Sequence, residues 1–197
     1  MKLPRSFYLR ENVTQISKDL LGKYLFTKID GLLTGGIITE TEAYAGVVDR
    51  ASHAFGGRRT KRNETMYARG GTAYVYLCYG IHSLFNVVTN EKEIPHAVLI
   101  RAIYPTHGID TLLKRRKMIE VRKNLCGGPG TVAEALGIQL SHSNSSLLGK
   151  EIWIEDKGLI VPKKEIVSSK RIGVESAGQA AHYLYRFVFD AKKYATK

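Results

Sequence analysis

Gly36-Ile37-Ile38-Thr39-Glu40-Thr41-Glu42-Ala43-Tyr44 is the segment from which the rest of this chain can be read. Its β-branched run Ile37, Ile38, Thr39 predicts a strand, and the two-residue side-chain period then sets Glu40, Glu42 and Tyr44 on one face. Two carboxylates would share a surface with an aromatic ring. His53 follows nine residues after Tyr44. Further on, Gly71-Thr-Ala-Tyr74-Val-Tyr76-Leu-Cys-Tyr79-Gly80 reads as a second strand with three tyrosines, closing in a glycine turn. Acid, rings and a projecting tip together could hold a planar ligand and hydrolyse it.

Working outward, Asn12 to Leu21 reads as a short helix with Ile16, Leu20 and Leu21 on one side, followed by an extended Tyr24-Leu-Phe-Thr27 and a turn at Asp30-Gly31. Further strands are expected over 72–78, 83–89 and 96–103, a basic helix near 109–123, and a short helix after Pro129. Late strands are expected near 151–155, 166–172 and 184–189. This order is neither a strict strand–helix alternation nor all strand. It predicts an α+β architecture, in which a curved, mainly antiparallel sheet is surrounded by helices. No repeat or low-complexity linker interrupts it, and 197 residues suffice for one mixed domain over 1–197 with a substantial core.

Thirty Lys and Arg against eighteen Asp and Glu leave a formal charge of +12, which points to a polyanionic partner such as nucleic acid. A membrane partner is not expected. No apolar run approaches the roughly 18 residues of a spanning helix, and Met1-Lys-Leu-Pro-Arg5 lacks the apolar core of a signal peptide. Cys78 and Cys126 form no closely spaced metal or redox motif and read as buried free thiols, so a cytoplasmic setting is the default. The six histidines offer no pair at metal-ligand spacing. Neither a metal nor a cofactor is expected.

Arg101 interrupts the apolar run Ala97-Val-Leu-Ile-Arg-Ala-Ile103. A guanidinium buried there needs an acceptor, because an unpaired buried charge costs several kcal/mol or more, and Glu40 and Glu42 are the candidates. Asn86, inside Leu84-Phe-Asn-Val-Val88, either satisfies backbone groups or faces a ligand. Basic residues cluster in Gly56-Gly-Arg58-Arg-Thr-Lys-Arg62-Asn63, a glycine-opened loop that suits phosphate contacts. A second cluster, Lys114-Arg-Arg-Lys117, reads as a solvated helix face. Tyr74 is assigned to the core.

Thr39-Glu-Thr-Glu-Ala-Tyr44, Ser52-His53, Arg58 to Met66, Tyr74-Val-Tyr76-Leu-Cys-Tyr79-Gly80, Asn86 and Leu99-Ile-Arg-Ala102 stand in this order, followed by Leu125-Cys-Gly-Gly-Pro-Gly130 and Arg171-Ile-Gly-Val174. This ordered set resembles the alkyladenine (3-methyladenine) DNA glycosylases over nearly the whole chain. The resemblance implies a mixed α/β domain, a monomer, that excises damaged purines from double-stranded DNA without cutting the strand. It implies Glu42 as general base on a water that Arg101 helps to position. It further implies Tyr44, His53 and Tyr76 around a flipped base, Asn86 at the minor-groove edge of that base, and Tyr79 in the gap left in the duplex. The pattern departs at Thr131, where relatives usually carry a lysine, and at Lys61, where many relatives have proline.

The chemistry is coherent in its own right. A purine inside a duplex is unreachable until it rotates out, at a cost of a few kcal/mol, and stacking on aromatic rings returns about 1–3 kcal/mol. Two other functions fit parts of the sequence: a non-catalytic nucleic-acid binder using the tyrosines as a platform, and a metal-dependent nuclease using Glu40, Glu42 and Asp49.

Overall fold

The computed structural model of the protein describes residues 1–194. Its organising element is β2 (Leu32–Tyr44), at 13 residues the longest strand described. One edge of β2 pairs with β5 (His96–His107) from Gly35 to Tyr44. Along its other edge β1 (Tyr24–Ile29) covers the first half, and β8 (Arg186–Val188) covers Glu40 to Glu42. The remaining strands are β3 (Ala73–Cys78), β4 (His82–Thr89), β6 (Ile152–Glu155) and β7 (Val167–Ser169). They give the order β3-β4-β5-β2-β1-β6, with β7 joined through β8. Every pairing is antiparallel.

The register with β5 slips twice around Glu40: between Ile38 and Glu40 the extra residue, Thr39, lies on β2, and between Glu40 and Thr41 the extra residue, Arg101, lies on β5, so each strand bulges there. An extra residue on one strand bends it and sharpens its twist, which curls the sheet at the two glutamates. Gly36, at another register shift, has no room for a side chain, since a Cβ there would lie 2.3 Å from the Tyr104 carbonyl oxygen.

The helices are α1 (Arg5–Tyr8), α2 (Val13–Asp19), α3 (Ile109–Arg115) and α4 (Pro129–Leu136). Asn12 caps α2 by accepting the Gln15 N–H at 2.9 Å, a contact worth about 1 kcal/mol. Ile16 and Leu20 then enter the main core with Ile37, Ile38, Val75, Phe85, Val98 and Ile100. Burying each such side chain contributes about 1.5–3 kcal/mol. Val75, Phe85, Val98 and Ile100 all lie on the sheet face turned toward the helices. The residues that alternate with them face the opposite way, and they build the site described below.

The expected α+β architecture is therefore the observed one, with four local corrections. The basic helix stops at Arg115 rather than 123, and Lys117 adopts a φ of +50°. Its cluster is also not simply a solvated face. Arg115 donates to the Ala135 carbonyl near the C-terminal end of α4 at 3.2 Å, where a cation suits the helix dipole, and Arg116 pairs with Glu134. The strand expected over 166–172 ends at Ser169, and just beyond it the Arg171 side chain donates to the Ala43 carbonyl of β2. Cys126 is buried as expected, but Cys78 is only half-buried at the end of β3.

Candidate active site

The alternation of four adjacent strands assembles one surface. Tyr44 on β2, Tyr74 and Tyr76 on β3, Leu84 and Asn86 on β4, and Leu99 and Arg101 on β5 line a single cavity of about 300 Å³. Cross-strand register brings them together, since Asn86 pairs with both Tyr74 and Leu99, and Leu99 in turn with Glu42. His53, from the loop after β2, and the segment Ile172 to Val174 close the sides.

Glu42 lies beneath this cavity, with no exposed surface. Its Oε1 accepts the Ile172 N–H at 2.8 Å, its Oε2 accepts the Tyr44 hydroxyl at 2.8 Å, and Arg101 Nη1 stands 3.5 Å from Oε1. Burial raises the Glu42 pKa above the ordinary value, a shift that Arg101, the Ile172 N–H and the Tyr44 hydroxyl oppose without cancelling. Burial and the neighbouring Glu42 charge hold the Tyr44 hydroxyl well above its own usual range, so it stays protonated and donates.

Arg101 meets the need that its apolar surroundings create by donating Nε to Glu40 at 2.8 Å. Glu40 also accepts from Arg186 at 3.1 Å. Two guanidiniums thus occupy Glu40, which leaves Glu42 as the carboxylate directly under the rings.

His53 and Tyr76 meet edge to face with centroids 4.6 Å apart, and His53 Nδ1 is 2.9 Å from the Tyr74 hydroxyl. Burial first, then Arg62 and Arg58, lower the His53 pKa to about 4. At neutral pH this ring is uncharged. Asn86 is buried, and its amide donates to the Tyr74 and Leu84 carbonyls at 3.2 and 3.3 Å while it lines the cavity wall. The amide thus satisfies backbone groups while bordering the cavity.

Tyr79 projects from the β3–β4 turn at 90% exposure. With φ of +51° at Tyr79 and +71° at Gly80, and the Ile81 N–H on the Cys78 carbonyl at 3.1 Å, the turn has the two positive φ angles of type I′.

A second cavity, of about 460 Å³, lies on the other side of His53 and carries Arg50, Arg58 and Arg62. Arg58 forms no ion pair among the described residues. Its neighbour Arg59 is engaged by Glu64 and Glu93 at 2.7 and 2.5 Å. Arg62 lies 5.3 Å from the Tyr76 centroid and donates to the Leu77 carbonyl at 3.1 Å.

A family model for methylpurine-DNA glycosylase matches residues 6–193. The chain belongs to the methylpurine-DNA glycosylase family. It is 46% identical over 192 residues to a Chlamydia felis protein named "Putative 3-methyladenine DNA glycosylase", covering 97% of each chain. Proteins of the same name from Clostridium perfringens and Bacillus cereus are 42% and 41% identical, with 100% of each chain covered. The resemblance read from the ordered motifs is borne out, and with it the assignment to DNA glycosylases that repair alkylated bases.

Within this member of the family the structure adds contacts that the sequence reading did not foresee. The Ile172 backbone N–H and the Asp49–Arg171 pair reach the site from opposite ends of the chain. Arg171-Ile-Gly-Val174 was visible as a motif, but nothing in its spacing ties it to Glu42. Asp49, one of three carboxylates in the nuclease alternative, is turned away from Glu42 into a bidentate contact with Arg171 at 2.5 and 2.8 Å. Among the described residues no helix is long and apolar enough to cross a membrane.

Proposed function

We propose that this protein rotates an alkylated or deaminated purine out of double-stranded DNA and hydrolyses its N-glycosidic bond with a water activated by Glu42, leaving the strand uncut. The observation that carries this reading is a carboxylate of raised pKa beneath a cavity walled by aromatic rings, with an exposed tyrosine at its rim.

Departure of the purine leaves positive charge on the sugar, so a carboxylate opposite the leaving base both stabilises that charge and accepts a proton from water. A carboxylate offers about four lone-pair directions. Ile172, Tyr44 and the Arg101 guanidinium approach from three sides, leaving one for the water. Arg101, anchored on Glu40, orients that water.

The base stacks with Tyr44 on one side and the His53–Tyr76 pair on the other. Neutral His53 adds no repulsion against a cationic alkylpurine, and the tyrosine faces attract it. Asn86 stands where the 2-amino group of normal guanine would enter and excludes it sterically. Tyr79 fills the vacated stack, and Arg58 and Arg62 hold phosphates beside it. No lysine amine lies among the cavity-lining residues, which favours water over a Schiff base as the nucleophile.

Single-turnover assays on duplexes carrying 3-methyladenine, 7-methylguanine, hypoxanthine or ethenoadenine test this directly. Free base should appear with the phosphodiester backbone intact, with activity unaffected by a chelator. Borohydride should trap no protein–DNA adduct. A covalent adduct, or strand scission lost on chelation, would overturn the mechanism, and binding without base release would leave a stacking platform only.

A further inference from the structure

Arg171 takes no part in the steps above, yet its side chain is fully buried against the wall of the site. It holds both Asp49 oxygens at 2.5 and 2.8 Å and donates to the Ala43 and Ala180 carbonyls at 2.8 and 3.1 Å. Its Nε finds no acceptor among the described residues. The guanidinium carbon lies 4.7 Å from the Tyr44 ring centroid and 5.3 Å from that of Tyr185. Tyr44 lines the cavity and Arg171 does not, so the ring stands between the cation and the space for a base.

A cation against one face of an aromatic ring draws π density toward itself. The opposite face becomes less negative and attracts a second cation less. Stacking of a neutral purine depends mainly on dispersion and area and is little affected. Asp49 neutralises most of the long-range field, leaving a short dipole with its positive end at the ring.

We infer that Arg171 is a positioning and specificity-determining residue: from behind Tyr44 it fixes the ring and lowers the preference of the open face for cationic purines, so that neutral damaged purines compete for the site. This rests on the reading of Tyr44 as a base-stacking ring. The same backbone segment contributes the Ile172 N–H to Glu42 at 2.8 Å, so the ring and the general base are aligned by neighbouring residues.

The test is the ratio of single-turnover release rates for 7-methylguanine, a cation in DNA, and hypoxanthine, which is neutral, in otherwise matched duplexes. Arg171→Met combined with Asp49→Asn removes both buried charges, and this ratio should rise by about two- to fivefold, the size of an exposed cation–π contact. Asp49→Asn alone leaves the cation uncompensated behind the ring and should lower the ratio. A scaffold role would slow both lesions together, so an unmoved ratio in both variants overturns the inference. If the double variant does not fold, the single variant decides: a lowered ratio supports the inference, and an unchanged or raised one overturns it. Wild-type protein that releases neither base would instead defeat the glycosylase mechanism, a result distinct from a working enzyme with an unmoved ratio.

Discussion

A carboxylate sealed from solvent must be either protonated or matched by donors, and Glu42 is held between these conditions. Its burial is complete, and the three donors around it leave its pKa above the ordinary 4.5. Two consequences follow in opposite senses. For catalysis, the fraction of Glu42 able to accept a proton grows as pH rises through its raised pKa, so base release should gain an acid limb above the usual carboxylate range. For stability, the folded state holds this proton more tightly than the unfolded chain does, so the Glu42 contribution falls as pH rises from 4.5 through the folded pKa. Glu42→Gln keeps the volume and the Ile172 contact while removing the charge. Base release should drop by about two to four orders of magnitude, with lesion binding kept within a few-fold and a melting temperature at neutral pH no lower than wild type. Full activity in this variant would move the base elsewhere.

The β3–β4 hairpin shows how an element can present one side chain at the expense of local comfort. A bulky residue at positive φ is strained, and Tyr79 accepts that geometry with its ring almost wholly in solvent. Tyr79→Asn would create Asn-Gly, the pair that type I′ turns prefer, so the hairpin should be retained or stabilised while the projecting ring is lost. With a fluorescent base analogue at the lesion, the flipped fraction should fall and the melting temperature should hold or rise. Unchanged flipping would remove Tyr79 from the intercalating role. The same hairpin carries Tyr74 and Tyr76 into the cavity, so its register sets one wall of that cavity.

Across the molecule, a charge of +12 favours DNA, but individual cations differ in what remains free to meet a phosphate. Arg58 is exposed and outside every ion pair among the described residues, whereas adjacent Arg59 is shared between Glu64 and Glu93. Arg58→Gln should therefore weaken binding to damaged and undamaged duplex alike and make the salt dependence shallower by about one unit. Arg59→Gln should change that slope little. Equal slopes for the two variants, measured by fluorescence anisotropy across a salt series, would show that the ion pairs do not set which arginine meets DNA.

The amino-acid order decided the parts whose causes are local. Alternation in Gly36 to Tyr44 put Glu40, Glu42 and Tyr44 on one face, and the lone Arg101 in an apolar run announced the carboxylates that it meets. Tyr74 in the core and Tyr79 at a turn followed in the same way. The basic run after Ile109 misled, because charge pattern says where a helix could continue, while the packing of Arg115 on α4 says where it stops. What folding alone decided are the meetings of distant segments. Ile172 reaches Glu42 across 130 residues, and Arg171 reaches Asp49 across 122, through contacts that no periodicity encodes. The protonation of Glu42 and His53 belongs to the same category, since it depends on how much water the assembled walls exclude. Side-chain direction is a property of a strand and its neighbours in sequence, but burial and long-range pairing exist only once sheet register and the β2 bulge have brought remote pieces of chain together.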